Sequence, residues 1–326
     1  MSRLEDIKKP VKGQIAEFEQ VFKKSMKSKV PLLDKVTRYI VKRKGKQMRP
    51  LFVFLSANMV NSNSVSKSTF HAASLIELLH TATLIHDDVV DDSYERRGFF
   101  SLNALWKNKI SVLVGDYLLS QGLLLAIDNS EFDLLRIVSN ATREMSEGEL
   151  LQIEKARRLD IQEPVYFEII RKKTASLIAS CCAAGAASSG ADNETIEKMR
   201  LFGENVGIAF QIKDDLFDYQ KTRKTGKPNG IDIKEKKMTL PLIYMLEQVS
   251  SLERRKHIHT IKRKSDDTES VAKLISQVNE SGGIEYAQNR MTEYRDKALE
   301  MLDEFPDNTF RSSLRDLVIY TTERKK

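Results

Sequence analysis

The sequence predicts an all-α chain: one helical domain over residues 1–326, a bundle around a central cavity. Three observations carry that reading. Apolar residues recur at helical spacing nearly throughout. Residues that break helices are scarce, 7 Pro and 14 Gly in 326 residues, which favours long helices over a turn-rich β fold. Two acidic clusters, Asp87-Asp88-Val89-Val90-Asp91-Asp92 and Asp214-Asp215-Leu216-Phe217-Asp218, lie inside apolar helical stretches. Carboxylates in such surroundings are costly to desolvate, so they suggest a lined cavity.

In chain order, the spacing predicts helices over 5–26, 31–44 and 48–61. Pro50 falls in the first turn of the third, where a missing N–H is tolerated. The helix over 67–92 carries the first acidic cluster. Helices over 109–127 and 131–158 are separated by Asn129-Ser130-Glu131, small polar residues suited to a cap. The helix over 162–188 has Pro164 near its start, and Gly190 lies where it should stop. Asp192-Asn193-Glu194 opens the helix over 193–221, which holds the second cluster. Lys221 to Lys237 is the one long irregular stretch and contains Thr225-Gly226-Lys227-Pro228-Asn229-Gly230. A loop of that length, directly after an acidic cluster, is placed to close over a ligand. Helices over 238–248, 251–264, 268–279, 284–304 and 307–323 complete the chain, with Gly282 marking a stop.

Composition narrows the function. With 41% hydrophobic and 30% charged residues, a substantial core is available. No apolar run approaches the ~20 residues needed to span a bilayer. Met1-Ser2-Arg3-Leu4-Glu5-Asp6 lacks the apolar core of a signal peptide, so a cytoplasmic location is expected. Cys181 and Cys182 are adjacent in a small-residue stretch and read as buried thiols, not as a disulfide or zinc site. The net charge of +7 is concentrated in Lys42, Arg43, Lys44 and Lys46, in Arg254 to Lys264, and in Arg324-Lys325-Lys326. No nucleic-acid partner is expected, because no aromatic-basic motif accompanies these clusters. A polyanionic small substrate fits them better, and weak peripheral contact with an anionic membrane surface is compatible with them.

The acids point to a cation. On a helix, Asp87 and Asp91 share a face, and so do Asp214 and Asp218. Like charges at that spacing destabilise a bare helix, and in an apolar cavity one of each pair would protonate unless a cation sat between them. All-oxygen ligands suit Mg²⁺, Mn²⁺ or Ca²⁺, and Mg²⁺ usually completes its shell with water and phosphate oxygens. Lys46 and Arg49, bracketed by Gly45 and Pro50, offer a point charge and a planar fork for phosphate. Arg96 and Arg97 either balance Asp91 and Asp92 or face the same phosphates. His80 lies about two turns before Asp87. Lys173, Thr174, Gln211, Lys227 and Lys237 add donors without adding a nucleophile. The implied chemistry is electrostatic stabilisation of a leaving diphosphate.

The chain resembles the trans-type polyprenyl diphosphate synthases. Leu84-Ile85-His86-Asp87-Asp88-Val89-Val90-Asp91-Asp92-Ser93, followed by Arg96-Arg97-Gly98, resembles their first aspartate-rich motif. Gly207 through Asp218, with Gln211 before the acids, resembles the second. Gly45-Lys46-Gln47-Met48-Arg49-Pro50 resembles their Gly-Lys-x-x-Arg-Pro element. Gly226-Lys227-Pro228, then Asp232, then Lys237-Met238-Thr239-Leu240-Pro241, resembles their closing loop. The matches keep the family's order from Gly45 to Pro241. Two departures stand out. Phe99-Phe100 follows Gly98 where the second place is commonly proline, and Lys236 stands where glycine is common.

The resemblance implies an isoprenoid-synthase type of fold, a homodimer, and a catalytic set of Asp87, Asp88, Asp91, Asp214, Asp215 and Lys173. Mg²⁺ held by Asp87, Asp91 and Asp214 would bind the diphosphate of an allylic substrate. Arg96, Lys173, Thr174, Gln211, Lys227 and Lys237 would help hold that substrate. Isopentenyl diphosphate would be held by Lys46, Arg49, His80 and Arg97. In the family, a bulky aromatic four or five places before the first aspartate gives short products. Here those places are Thr83 and Ala82, with Ile76 further down the same face, so heptaprenyl to decaprenyl products are expected. The alternatives are a farnesyl or geranylgeranyl synthase and a non-catalytic partner subunit, although such a subunit would be expected to have lost acids from one motif. A terpene cyclase would normally carry a different second motif.

Overall fold

The computed structural model describes residues 3–42, 45–61, 65–96, 98–219 and 230–324, with Arg96 described by its backbone alone. Among the described residues the chain is all-α apart from one short hairpin. Its residues cluster into two compact units. One comprises Met1–Thr142, Ser180–Arg200 and Phe305–Leu314; the other comprises Arg143–Ala179, Leu201–Glu304 and Arg315–Lys326.

The first unit begins with α1 (Arg3–Lys8), a 3-10 turn (Lys9–Val11) and α2 (Lys12–Ser25). The expected single helix over 5–26 is divided here, because Pro10 removes a donor and constrains the turn. Then follow α3 (Pro31–Lys42), α4 (Met48–Val60) and α5 (Lys67–Val90). Gln47 at the start of α4 adopts a left-handed conformation, φ 56°. α5 ends two residues before the expected boundary. Asp91 is its C-cap and Asp92 has φ 46°.

A hairpin that helical periodicity did not foresee comes next. β1 (Glu95–Arg96) pairs antiparallel with β2 (Phe99–Phe100). Gly98 supplies the left-handed φ of 77° that tight hairpins demand. α6 (Leu102–Asp128) starts earlier than the expected 109–127, capped by the Ser101 hydroxyl accepting from the Ala104 N–H, with one non-helical residue at Lys107. By length and composition alone α6 is long and apolar enough to cross a bilayer, which corrects the expectation that nothing approaches that length. It buries Ser111, Val114, Gly115, Leu118, Gly122 and Ala126. An apolar cluster joins Met26, Val36, Leu78, Ala82, Ile85, Leu102, Val114 and Leu118.

α7 (Phe132–Arg158) contributes residues to both units. The expected helix over 162–188 proves to be α8 (Glu163–Ile170), a π-helical turn (Arg171–Ala175) and α9 (Ser176–Ser188), which from Ser180 onward belongs to the first unit. α10 (Asn193–Phe217) opens with the Asp192 carboxylate accepting from the Thr195 N–H. A short α11 (Ile231–Lys234), also unforeseen, precedes α12 (Leu240–Gln248), α13 (Ser251–Arg263), α14 (Thr268–Glu280), α15 (Gly283–Asp303) and α16 (Thr309–Glu323). Ser250 and Glu253 form a reciprocal capping box on α13. The core of the second unit gathers Tyr166, Ile169, Ile212, Leu216, Leu242, Ile261, Leu274 and Ala287, among others. Cys181 and Cys182 are buried and free, and burial pushes the Cys182 thiol up to about 12.

Candidate active site

The first acidic cluster occupies the last turn of α5. The Asp91 N–H donates to the Asp87 carbonyl at 2.8 Å, so the helical register holds through this pair. Asp88 is buried at 6% exposure, Asp87 is half-buried and Asp91 is exposed. One turn apart on the same helix lie Glu77 and His80. Arg49 of α4 donates from Nε to Glu77 Oε1 at 2.8 Å and from a terminal nitrogen to Oε2 at 3.4 Å. Glu77 was not singled out by sequence. It fixes the plane of a guanidinium whose remaining donors are left for an anion. Lys46 is exposed. Arg97 lies outside the described residues, as does the side chain of Arg96.

Ala82 is buried at 2% exposure in the apolar cluster that joins α5 and α6, and Ile76 is fully buried. Thr83 is half-buried and its hydroxyl donates to the His80 carbonyl.

The second cluster is organised by a relay of hydrogen bonds. Thr174 Oγ1 donates to Gln211 Oε1 at 2.8 Å, and Gln211 Nε2 donates to Asp215 Oδ1 at 2.8 Å. The Tyr166 hydroxyl donates to Asp215 Oδ2 at 2.7 Å. Burial, reinforced by repulsion from Asp232, raises Asp215 to about 7 against these bonds. Tyr166 is another residue that sequence reasoning passed over; its apolar ring hid a polar role.

The expected shared face of Asp214 and Asp218 is not realised. α10 stops at Phe217, and the Asp218 carboxylate turns to accept from the Ile231 N–H at 3.0 Å and the Asp232 N–H at 3.1 Å. It thereby ties the end of α10 to the start of α11. Asp214 instead meets Arg324 of the chain's C-terminal segment, whose guanidinium also lies 4.4 Å from the Phe210 ring centroid. A cation distant in sequence therefore balances this acid.

Lys173 and Thr174 sit in the π turn, where the Ser176 N–H reaches back to the Arg171 carbonyl. Such turns are frequent at functional sites. Two glycines make room for it. A Cβ at Gly148 of α7 would lie 2.7 Å from the Lys173 nitrogen, and one at Gly207 of α10 would lie 2.4 Å from the Ala175 Cα. Lys173 Nζ pairs with the Glu149 carboxylate and lies 3.4 Å from Gln152 Oε1.

Lys237 pairs with Glu235 at 2.5 Å. Lys236 has φ 58°, a conformation that glycine adopts without strain. Lys227 and the rest of the expected closing loop, residues 220–229, lie outside the described residues.

Among the described residues, no group of three or more His, Cys, Asp or Glu side chains is gathered to hold a metal. The donors present fit a hard cation nonetheless. Asp87 and Asp91 of the first unit and Asp214 of the second each offer carboxylate oxygens, the ligand type of a cation that keeps phosphate and water in its shell.

A family model described as polyprenyl synthetase matches residues 30–278. The all-trans-nonaprenyl-diphosphate synthase (geranyl-diphosphate specific) of Rhodobacter capsulatus is 37% identical over 324 residues, covering 98% of each chain. A decaprenyl diphosphate synthase structure from Rhodobacter capsulatus superposes with a TM-score of 0.92 at 32% identity, covering 98% of each chain. A polyprenyl synthase structure from Caulobacter crescentus, complexed with calcium and isoprenyl diphosphate, gives 0.90 at 31% identity over 99% of this chain and 98% of its own.

Proposed function

The chain belongs to the polyprenyl synthetase family, and from that premise we propose that it is a prenyltransferase extending an allylic diphosphate with isopentenyl diphosphate to all-trans heptaprenyl to decaprenyl diphosphate. The observation that carries this reading is the relay Thr174–Gln211–Asp215–Tyr166, which ties the π turn to the second acidic motif. It supplies donors and one fixed carboxylate and contains no nucleophile paired with a base. That is the equipment for holding a leaving diphosphate, not for attacking it.

Asp87, Asp91 and Asp214 would hold Mg²⁺, which when bound supplies charge neutralisation for the departing diphosphate. The neighbour solved with calcium and isoprenyl diphosphate supports the use of a divalent cation. Lys173, Thr174, Gln211 and Lys237 position the allylic diphosphate, joined by Arg96 and Lys227. Arg49, oriented by Glu77, grips the diphosphate of isopentenyl diphosphate together with Lys46, His80 and Arg97. The allylic C–O bond breaks, the double bond of isopentenyl diphosphate adds to the resulting cation, and the lost proton leaves with the diphosphate. The small side chains of Ala82 and Thr83 would set how far a growing chain extends along α5 toward Ile76.

A homodimer fits this reading. Val112, Leu113, Leu123, Leu124 and Ile127 of α6 are exposed and fall on one stripe of the helix. This stripe, apolar except for the exposed Asp116 and Ser120 within it, suits a self-complementary interface.

The test is direct. The pure chain is incubated with farnesyl diphosphate, isopentenyl diphosphate and Mg²⁺, and the dephosphorylated products are identified by chromatography. Long all-trans products are expected, and none in excess chelator. Full turnover in chelator would remove the metal from the mechanism.

A further inference from the structure

One local excess of charge takes no part in this chemistry. Arg254, Arg255, Lys256, Lys262, Arg263 and Lys264 stand against one acid, Glu253, a net of +5 in a chain of net charge +7. α13 turns Ile258 and Ile261 to the core of its unit, and Ile261 is fully buried. On the far side Leu252, Arg255, Lys256, His259 and Arg263 recur at helical spacing, all exposed. Among the described residues no salt bridge joins any of these six cations to an acid. Lys256 acts on Glu253, and Lys264 on Asp267, only through space. Elsewhere cations are regularly paired, as in Lys172 with Glu147, Arg200 with Glu197, and Arg311 with Asp307. An open pocket of ≈ 400 Å³ lies in this face, lined by Leu252, Arg255, Lys256, His259, Thr260 and Lys264.

We propose that this face of α13 docks the protein on an anionic phospholipid bilayer. The exposed Arg255, Lys256, Lys262 and Arg263 of an amphipathic helix, with Lys264 just beyond its end, match the charge of an acidic lipid surface, and the shallow pocket offers cations to a phosphate headgroup. Leu252, 64% exposed amid the cations, is suited to the boundary between headgroups and acyl chains. A nucleic acid would want stacking partners, and residues 251–264 contain no Phe, Tyr or Trp. The proposed product makes the same demand. A diphosphate carrying seven or more isoprene units is too apolar to leave into water, so an enzyme resting on a bilayer can pass it directly to lipid. The choice of a membrane over another polyanion rests on the proposed function; the cationic face does not.

The test is co-sedimentation of the full chain with vesicles of neutral phosphatidylcholine and with vesicles containing phosphatidylglycerol. Binding is expected to the anionic vesicles alone and to be lost in high salt. The variant R255E/K256E/K262E/R263E is expected to lose binding by tenfold or more. A control reversing four exposed lysines elsewhere, K9E/K12E/K23E/K24E, separates location from net charge and should keep most of it. Equal binding to both vesicle types, or equal loss in both variants, would overturn the proposal. So would α13-dependent binding of a labelled RNA without vesicle binding. Condensation assayed in detergent should be unchanged in the α13 variant. Vesicle binding by a chain that makes no product would sink the proposed function while leaving the docking face standing.

Discussion

The guanidinium of Arg324 closes on the carboxylate of Asp214 and stacks over Phe210, so an acid of the second motif is already balanced by a cation from the end of the chain. Both side chains are partly exposed, and such pairs are worth at most about 1 kcal/mol. A divalent cation binding at Asp214 has to displace this arginine. R324A is therefore expected to lower the Mg²⁺ concentration for half-maximal turnover by about two- to fivefold, in line with that energy. A metal titration of initial rate checks this; a raised requirement would mean that Arg324 helps hold substrate instead.

The raised pKa of Asp215 makes the metal-free chain sensitive to pH. The folded chain protonates this acid at about 7, against an ordinary 3.8. Below pH 3.8 both folded and unfolded forms carry the proton. As pH rises through about 7, the folded form must ionise a buried acid beside Asp232, and stability is lost. D215N removes that loss. In chelator, the melting temperature of D215N relative to the parent should rise by about 5 °C between pH 5 and pH 8. A difference independent of pH would show that Asp215 is ionised throughout.

Gly207 sits where the backbone of α10 meets the π turn. Alanine in a helix ordinarily stabilises by up to about 1 kcal/mol over glycine. At Gly207 the added Cβ would lie 2.4 Å from the Ala175 Cα, so the sign reverses. G207A should melt several degrees lower than the parent and lose most turnover. G13A, with nothing within 4 Å of its new Cβ, serves as the control and should melt no lower. Equal stability of the two variants would refute the close approach.

Product length tests the reading of α5. A82F should shift products toward farnesyl or geranylgeranyl length while the first condensation continues. Ala82 is buried among Leu78, Ile85 and Leu118, so overpacking costs about 1–3 kcal/mol. T83F, at a half-buried position, is the companion variant that keeps the test open if A82F does not fold. Unchanged chromatograms from both would remove these positions from length control.

The stripe on α6 predicts a change of assembly. L113D/L124D places two carboxylates on exposed apolar positions of the stripe. Light scattering after size exclusion should report a dimer for the parent and a monomer for the variant. A dimeric variant would place the self-association elsewhere.

Much of this architecture was legible in the sequence because it depends on period. Helices such as Phe132–Arg158 and Ser251–Arg263 lie within one or two residues of their expected bounds, since an apolar stripe at 3.6-residue spacing persists over several turns. What escaped was short or tertiary. The Glu95–Phe100 hairpin offers too few residues for any period to register. Asp218 fits a helical face in sequence, yet it is drawn away by two backbone N–H groups of α11. Glu77, Tyr166 and Arg324 act through partners 28, 49 and 110 positions away. Single-sequence periodicity does not reach that far. Glycine did leave a signal: Gly148 and Gly207 stand within helices, where glycine is disfavoured, and both flank the π turn.

That turn also sets the rotational phase of the segment 163–188. A regular α-helix advances about 100° per residue, so the side chains at its two ends are locked to a common count. The wide turn at Arg171–Ala175 breaks the count, and the residues before it are indexed independently of those after it. Tyr166 faces Asp215 while Cys181 and Cys182 stay fully buried, and the π turn between them takes up one residue more than a continuous α-helix would hold. A one-residue deletion inside the turn would convert it to regular α-helix and keep the phase of α8 against α9, whereas the same deletion within α8 or α9 would swing the faces on either side by about 100°. A change of one residue is therefore absorbed at the turn and not in the helices beside it, and the segment behaves as a coupling between two shafts, not as one rod.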